Sequence, residues 1–227
     1  MPAEIHDSSQ LANVAAQRIA AAMVATIAEE GGVSLALAGG TTPRAAYEAL
    51  AKIPGIDWGK VSVYFGDERA VPPTDADSNY RMADDALFRQ VALLPANIHR
   101  IHGEDADPDA AARAYEAVLP LRISIMILGI GEDGHTASLF PGSPALRERT
   151  RRVLPVIGPK PPPQRLSITP PVIEAAGLCV VLATGTAKAD AVARALRGPI
   201  DIMSTPSCLA RRGLWLLDHA AAARLEA

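Results

Sequence analysis

Five short apolar runs dominate the chain: VSLALA (residues 33–38), VSVYF (61–65), ISIMIL (123–128), LCVVLA (178–183) and LWLL (214–217). Segments of helical composition, such as PRAAYEALAK (43–52) and TAKADAVARAL (186–196), lie between them. Runs that are apolar throughout, rather than at every second residue, belong to strands buried on both faces, and helices alternating with such strands build a parallel sheet. The pattern predicts an α/β fold: a mainly parallel, Rossmann-like sheet with helices on both faces. An alanine-rich helix opens it, with Asp7, Ser8 and Ser9 available as caps and Gly31 and Gly32 as the stop after Glu30.

At 227 residues with no linker in view, the chain reads as one domain spanning residues 1–227. The proline-dense stretch PVIGPKPPPQRLSIT (155–169) is too short for a linker and reads as a rigid surface excursion, with RLSIT (165–169) as an additional strand. A net charge of -3 offers no basic excess for nucleic acid, which leaves small metabolites as the expected partners. The opening MPAEIHDSSQ has no signal-peptide character, and no uninterrupted run approaches the ~18 apolar residues of a membrane span. Cys179 and Cys208 are too few and too far apart for a disulfide framework or metal cluster, so both read as reduced packing residues of a cytoplasmic protein.

Polar loops follow four of the runs: AGGTTPR, GDERAVPPTDADSNY, GIGEDGHTAS and TGTAK. Carboxyl ends of strands are where open parallel sheets bind ligands, so one crevice can collect all four. The third loop carries the G-x-G-x-x-G spacing of a dinucleotide site at Gly129, Gly131 and Gly134. Its context fails that reading: Pro141 and Gly142 limit any following helix to about two turns, and Glu132 and Asp133 stand where phosphates would lie. The glycines instead suit a tight loop that aims His135, supported by Asp133, into the crevice as a general base.

The first and fourth loops read as anion sites. Gly39 and Gly40 let backbone N–H groups converge where a helix begins, with Thr41 or Thr42 as its cap and Pro43 at its first position. TGTAK repeats the logic, because Lys188 in a first helical turn opposes the helix dipole unless an anion is bound. Asp67, Glu68 and Arg69 sit directly after a strand, a usual place for ligand contacts. DADSNY starts like a calcium loop but has Tyr80 where glycine is needed and Ala86 where glutamate is needed. No zinc, serine-hydrolase or cofactor motif is present, so neither metal nor cofactor is expected.

Taken together, AGGTTPRAAYEAL, YFGDERAVPPTDADSNYRMA, LGIGEDGHTASLFPGSP, RLSITPPVI and ATGTAKADAV resemble the 6-phosphogluconolactonases of the pentose phosphate pathway, in order and across residues 35–192. The resemblance implies the fold shared with glucosamine-6-phosphate isomerases and hydrolysis of 6-phospho-D-glucono-1,5-lactone to 6-phospho-D-gluconate. It also implies His135 and Asp133 as the base pair, with Gly40, Thr41, Thr42 and Lys188 around the phosphate and Arg69 and Arg165 as further cations. Asp67 matches an acidic family position without a settled role. The implied partner is a small sugar-phosphate lactone, handled by a monomer or small homo-oligomer. The alternatives are a sugar-phosphate isomerase or deaminase and a sugar-phosphate-sensing domain. In HTASLFP, Phe140 stands where the isomerases this loop resembles place a glutamate before proline.

Overall fold

All five apolar runs become strands of one sheet. A computed structural model describes residues 3–225 of the chain. In chain order its strands are β1 (Glu4–His6), β2 (Val33–Leu37), β3 (Val61–Phe65), β4 (Asp67–Arg69), β5 (Ile125–Gly129), β6 (Val153–Ile157), β7 (Gln164–Ile168), β8 (Leu178–Ala183) and β9 (Leu214–Asp218). The helices are α1 (Ser8–Glu30), α2 (Thr41–Leu50), α3 (Asn79–Ala86), α4 (Pro108–Val118), α5 (Pro170–Ala175), α6 (Ala189–Arg197) and α7 (His219–Ala222). Six strands form a sheet in the order β1-β9-β8-β5-β2-β3, and every pairing in it is parallel. Helices flank this sheet, as the alternation of runs predicts.

The loops after β2, β3, β5 and β8 therefore leave the same edge of the sheet. The strand order reverses between β2 and β5, which bring the first and third loops side by side as parallel neighbours, Leu35 pairing with Ile125 and Ala36 with Met126. Two phenols hold the outer strands. Tyr47 of α2 donates to the Ala38 carbonyl (3.0 Å) and accepts from the Ala38 N–H (2.9 Å). Tyr115 of α4 does the same to Phe65 at 3.0 and 2.7 Å, occupying backbone groups that the edge strand β3 would otherwise leave unpaired.

A smaller antiparallel sheet, β4-β7-β6, stands beside the main one. It corrects two expectations. The charged trio Asp67–Arg69 is itself a strand rather than a strand-end loop. The proline-dense segment is more than an excursion: its RLSIT end forms β7, the additional strand that was expected, while its first residues belong to β6, and the two pair as a hairpin from Val153↔Ile168 to Ile157↔Gln164. Pro155 hid β6 in the sequence, but β6 is an edge strand, where a missing backbone donor is tolerated. The three-residue β1 was also missed, being too short to show periodicity.

The alanine-rich helix ends as expected, with Gly31 in the left-handed region at φ 80. Its start differs: Asp7 occupies the cap position without a side-chain cap bond, and its carboxylate lies 3.5 Å from His219 Nε2 instead. By length and composition α1 is, among the described residues, the one helix long and apolar enough to cross a membrane. The expectation that no segment reaches that size missed it, because Asn13, Gln17 and Arg18 interrupt the apolar run. Leu11, Ala15, Ala16, Ile19, Ala20 and Met23 form its buried stripe, and it packs against α2 and β9. Both cysteines are free and buried, as expected.

Tyr47→Phe should lower unfolding stability by about 1–3 kcal/mol, since it strips partners from a buried N–H and a buried C=O at once. Urea unfolding of the two proteins checks this.

Candidate active site

The loop after β5 closes on itself. Gly134 N–H donates to the Gly131 carbonyl (3.0 Å) and Gly131 N–H to the His135 carbonyl (2.9 Å). This folds residues 131–135 into a turn in which Asp133 Oδ1 lies 2.6 Å from His135 Nδ1 and accepts the His135 backbone N–H at 3.1 Å. A carboxylate on Nδ1 holds the proton there and leaves Nε2 as the free acceptor, the tautomer a general base requires. Partial burial is the largest influence on Asp133 and acts upward. The His135 N–H and imidazole together outweigh it and hold the carboxyl below its ordinary range. Asp133 therefore stays charged through mildly acidic pH.

Gly131 is required by close approach. A Cβ there would meet His135 Nδ1 at 2.1 Å and Asp133 Oδ1 at 2.4 Å. Gly134 is required by conformation, at φ 95. No helix forms between His135 and Pro141, within the limit that Pro141 and Gly142 set. Leu139 N–H returns to the Thr136 carbonyl (2.9 Å), and Ala137 takes φ 48. The irregular turn brings Phe140 back over the imidazole, with ring centroids 4.7 Å apart. On the same ring lies the Arg165 guanidinium, 5.6 Å from its centroid. A cavity of about 960 Å³ runs from Asp133 past Phe140 and along β6 to Pro159.

Asp67 is the junction beneath this loop. Its carboxylate is buried, accepts Ser138 Oγ–H at 2.6 Å and lies 3.2 Å from Asn79 Nδ2, which also donates to the Asp67 carbonyl (2.8 Å). Asn79 in turn abuts Gly39, where a Cβ would lie 2.0 Å from Asn79 Oδ1. The neighbouring Glu68 is buried too and accepts from the N–H groups of Arg69, Asn79 and Tyr80 and from Ser78 Oγ. Burial raises the Glu68 pKa, opposed in part by the three backbone donors. The DADSNY segment thus has a structural task, seating the start of α3 on Glu68.

Two loops of matching geometry open helical turns at the same sheet edge. Gly40 (φ 105, ψ 165) precedes α2 and Gly185 (φ 90, ψ 150) precedes the 3-10 turn Thr186–Lys188. In each case a threonine follows, and the loops touch through Thr42 Oγ1 and Thr184 Oγ1 at 2.7 Å. Details differ from expectation. Gly40, not Thr41 or Thr42, is the cap residue of α2, no side chain caps it, and Pro43 is its third residue. Lys188 lies in the first helical turn after Gly185, as expected, but that turn is 3-10, with α6 following directly. The Thr42 hydroxyl thereby meets Thr184 rather than its own helix start.

The structure places the expected residues as follows. His135 and Asp133 form a direct pair, and Thr42 meets the loop that carries Lys188. Arg69 and Arg165 stand opposite one another on β4 and β7, with Asp67 two residues from Arg69 on the same strand. Arg69 donates to the Asp77 carbonyl, and its Nε is buried without a protein acceptor among the described residues. Arg165 donates to the Pro162 carbonyl at 3.1 Å. Its pKa is lowered chiefly by burial, with Asp67 acting upward and the facing Arg69 downward. The sequence reading missed Asn79, Ser138, Thr184 and Asp218. Asp218 follows directly on the run LWLL, so the strand-end argument used for the other loops would have found it.

This chain belongs to the family described as glucosamine-6-phosphate isomerases/6-phosphogluconolactonase, whose model matches residues 6–215. Within it the chain is 40% identical to a 6-phosphogluconolactonase of Streptomyces coelicolor, over 96% of this chain and 92% of that protein. The solved 6-phosphogluconolactonase of Trypanosoma brucei superposes with a TM-score of 0.87 at 28% identity, covering 98% of each chain. A monomeric glucosamine-6-phosphate deaminase reaches the same TM-score, 0.87, at 22% identity over 99% of this chain and 100% of that one, a likeness in fold alone.

Gly131→Ala should lower kcat at least tenfold, because the new methyl displaces either the imidazole or its carboxylate. Steady-state rates beside a thermal melt check it; a folded variant with unchanged kcat would contradict the geometry.

Proposed function

We propose that this chain hydrolyses 6-phospho-D-glucono-1,5-lactone to 6-phospho-D-gluconate, the lactonase step of the pentose phosphate pathway, as a cytoplasmic enzyme acting on a free sugar phosphate. The observation that carries the reading is the His135–Asp133 pair with the Phe140 ring tilted against the imidazole. The family admits both lactonases and isomerases, and the shared fold does not separate them. An isomerase has to open a sugar ring and move protons between ring oxygen and carbon, for which a second ionisable group beside the histidine is needed. Phenylalanine can neither carry a proton nor orient an imidazole through a carboxylate. Lactone hydrolysis needs one base and one water.

The chemistry follows from the atoms present. The phosphate rests against the Gly40, Thr41 and Thr42 loop and the loop of Lys188, which fixes the lactone ring and so lowers the entropy lost at the barrier. His135 Nε2 takes a proton from water as its oxygen bonds to C1, and Asp133 stabilises the imidazolium. The C1 carbonyl becomes a tetrahedral oxyanion, supported by cations of the β4–β7 pair, where Arg69 keeps an unpartnered Nε. Collapse restores the carbonyl, breaks the bond from C1 to the ring oxygen, and returns the proton from His135 to that oxygen. The new carboxylic acid at C1 loses its remaining proton to solvent at neutral pH, and the resulting carboxylate adds a second anionic group to the ligand, which favours release. No covalent intermediate, metal or cofactor enters the sequence of steps.

The test is a paired assay on purified protein: acid release from freshly made 6-phosphogluconolactone and ammonia release from glucosamine 6-phosphate, each with and without chelator. Lactone hydrolysis above the spontaneous rate, indifferent to chelator, is expected. Ammonia release without lactone hydrolysis would overturn the reading. In the same assay His135→Ala should lower kcat by roughly 10²- to 10⁴-fold with little change in affinity for 6-phosphogluconate.

A further inference from the structure

A buried acid lies under one of the two anion loops. Asp218, at the carboxyl end of β9, is 4% exposed, and both of its oxygens stand 3.0 Å from the Gly185 N–H. Oδ1 also accepts the Ala221 N–H at 2.7 Å, capping α7. A carboxylate so near a site for phosphate is unfavourable on charge alone, since two anions in a partly buried setting repel. Its hydrogen bonds explain its presence. Gly185 sits at φ 90, one of several conformations open to a glycine, so an anchor is what selects it, and the residues it orients are Thr186 and Lys188, with Lys188 N–H bonded to the Gly185 carbonyl at 3.0 Å. The loop's other anchor, Thr184 Oγ1 to Thr42 Oγ1, reaches the second anion loop.

We propose that Asp218 is a positioning residue for phosphate recognition, fixing Gly185 so that the Thr186–Lys188 turn and the Gly40–Thr42 loop present one joint anion site. The proposal rests on the lactonase reading. Asp218 touches no substrate atom and acts only through Gly185. It therefore bears on how well the enzyme separates phosphorylated from unphosphorylated lactone more than on the bond-breaking step at His135.

The experiment uses two variants. Asp218→Asn keeps size and replaces one acceptor oxygen by a donor that confronts the Gly185 or Ala221 N–H. Asp218→Ser retains an acceptor able to cap α7 but is too short to reach Gly185. For each, kcat and KM are measured on 6-phosphogluconolactone and on unphosphorylated glucono-1,5-lactone, and binding of 6-phosphogluconate is titrated calorimetrically. The expected result is a KM for the phosphorylated lactone raised about tenfold, the size of one charge-assisted hydrogen bond, with a parallel loss of 6-phosphogluconate affinity. The preference for phosphorylated over unphosphorylated lactone should fall by the same factor. A merely structural Asp218 would lower both substrates equally and leave that preference intact. Unchanged preference, or tighter 6-phosphogluconate binding through relief of repulsion, would overturn the proposal. Wild-type protein that binds no 6-phosphogluconate would instead strike the lactonase reading itself.

Discussion

A parallel sheet gives all its strands one direction, so the connections leaving their carboxyl ends crowd a single edge. Here that edge carries the Gly40–Thr42, Asp133–His135 and Lys188 loops, with Asp67, Arg69 and Arg165 on the small sheet beside it, and the loops would collide or drift unless something held them in register. Asp67 does so. Its buried carboxylate takes the Ser138 hydroxyl from the histidine loop and faces the Asn79 amide, whose oxygen fills the space that Gly39 leaves open by having no side chain. Three strand ends meet on one acid, and a buried, fully bonded polar junction of this kind fixes geometry more sharply than apolar packing does.

Charge is distributed to match. The chain carries a net charge of -3, yet Arg69 and Arg165 stand opposite one another on β4 and β7, and Lys188 lies on the loop that meets the Gly40–Thr42 loop. Arg69 and Arg165 face each other across two strands, an arrangement that costs stability for like charges and is eased when an anion lies between them. Phe140 links this cationic side to the base: one ring contacts the Arg165 guanidinium and the His135 imidazole. Through that ring the hairpin of β6 and β7 bears on the base as well as on the proposed ligand site. Its proline-rich tip, through the Pro162 carbonyl, fixes where Arg165 points.

The sheet was legible in the sequence because strands buried on both faces leave continuous apolar runs. The histidine loop was legible because three glycines and a carboxylate around His135 make little sense as a nucleotide site once Pro141 closes the segment. What escaped had no periodic signal. β6 was concealed by Pro155, and β4 by being wholly charged, since Asp67 and Glu68 are buried by hydrogen bonding rather than by hydrophobicity. The start of α2 was placed two residues late, at Pro43 instead of Thr41, because threonines and a proline suit several cap registers equally well. Asp218 reads as an ordinary N-cap until Gly185, far away in sequence, is seen to share it. Its place after LWLL marks Asp218 as a strand-end residue, but its bond to Gly185 leaves no local trace.

The most direct test of the account is a crystal structure of the protein with 6-phosphogluconate bound. The phosphate should lie against Thr41, Thr42 and Lys188, with the C1 carboxylate about 3 Å from His135 Nε2, hydrogen-bonding distance for a base that handles its proton. A phosphate bound away from the two glycine-opened loops, or a C1 carboxylate turned from His135, would contradict it.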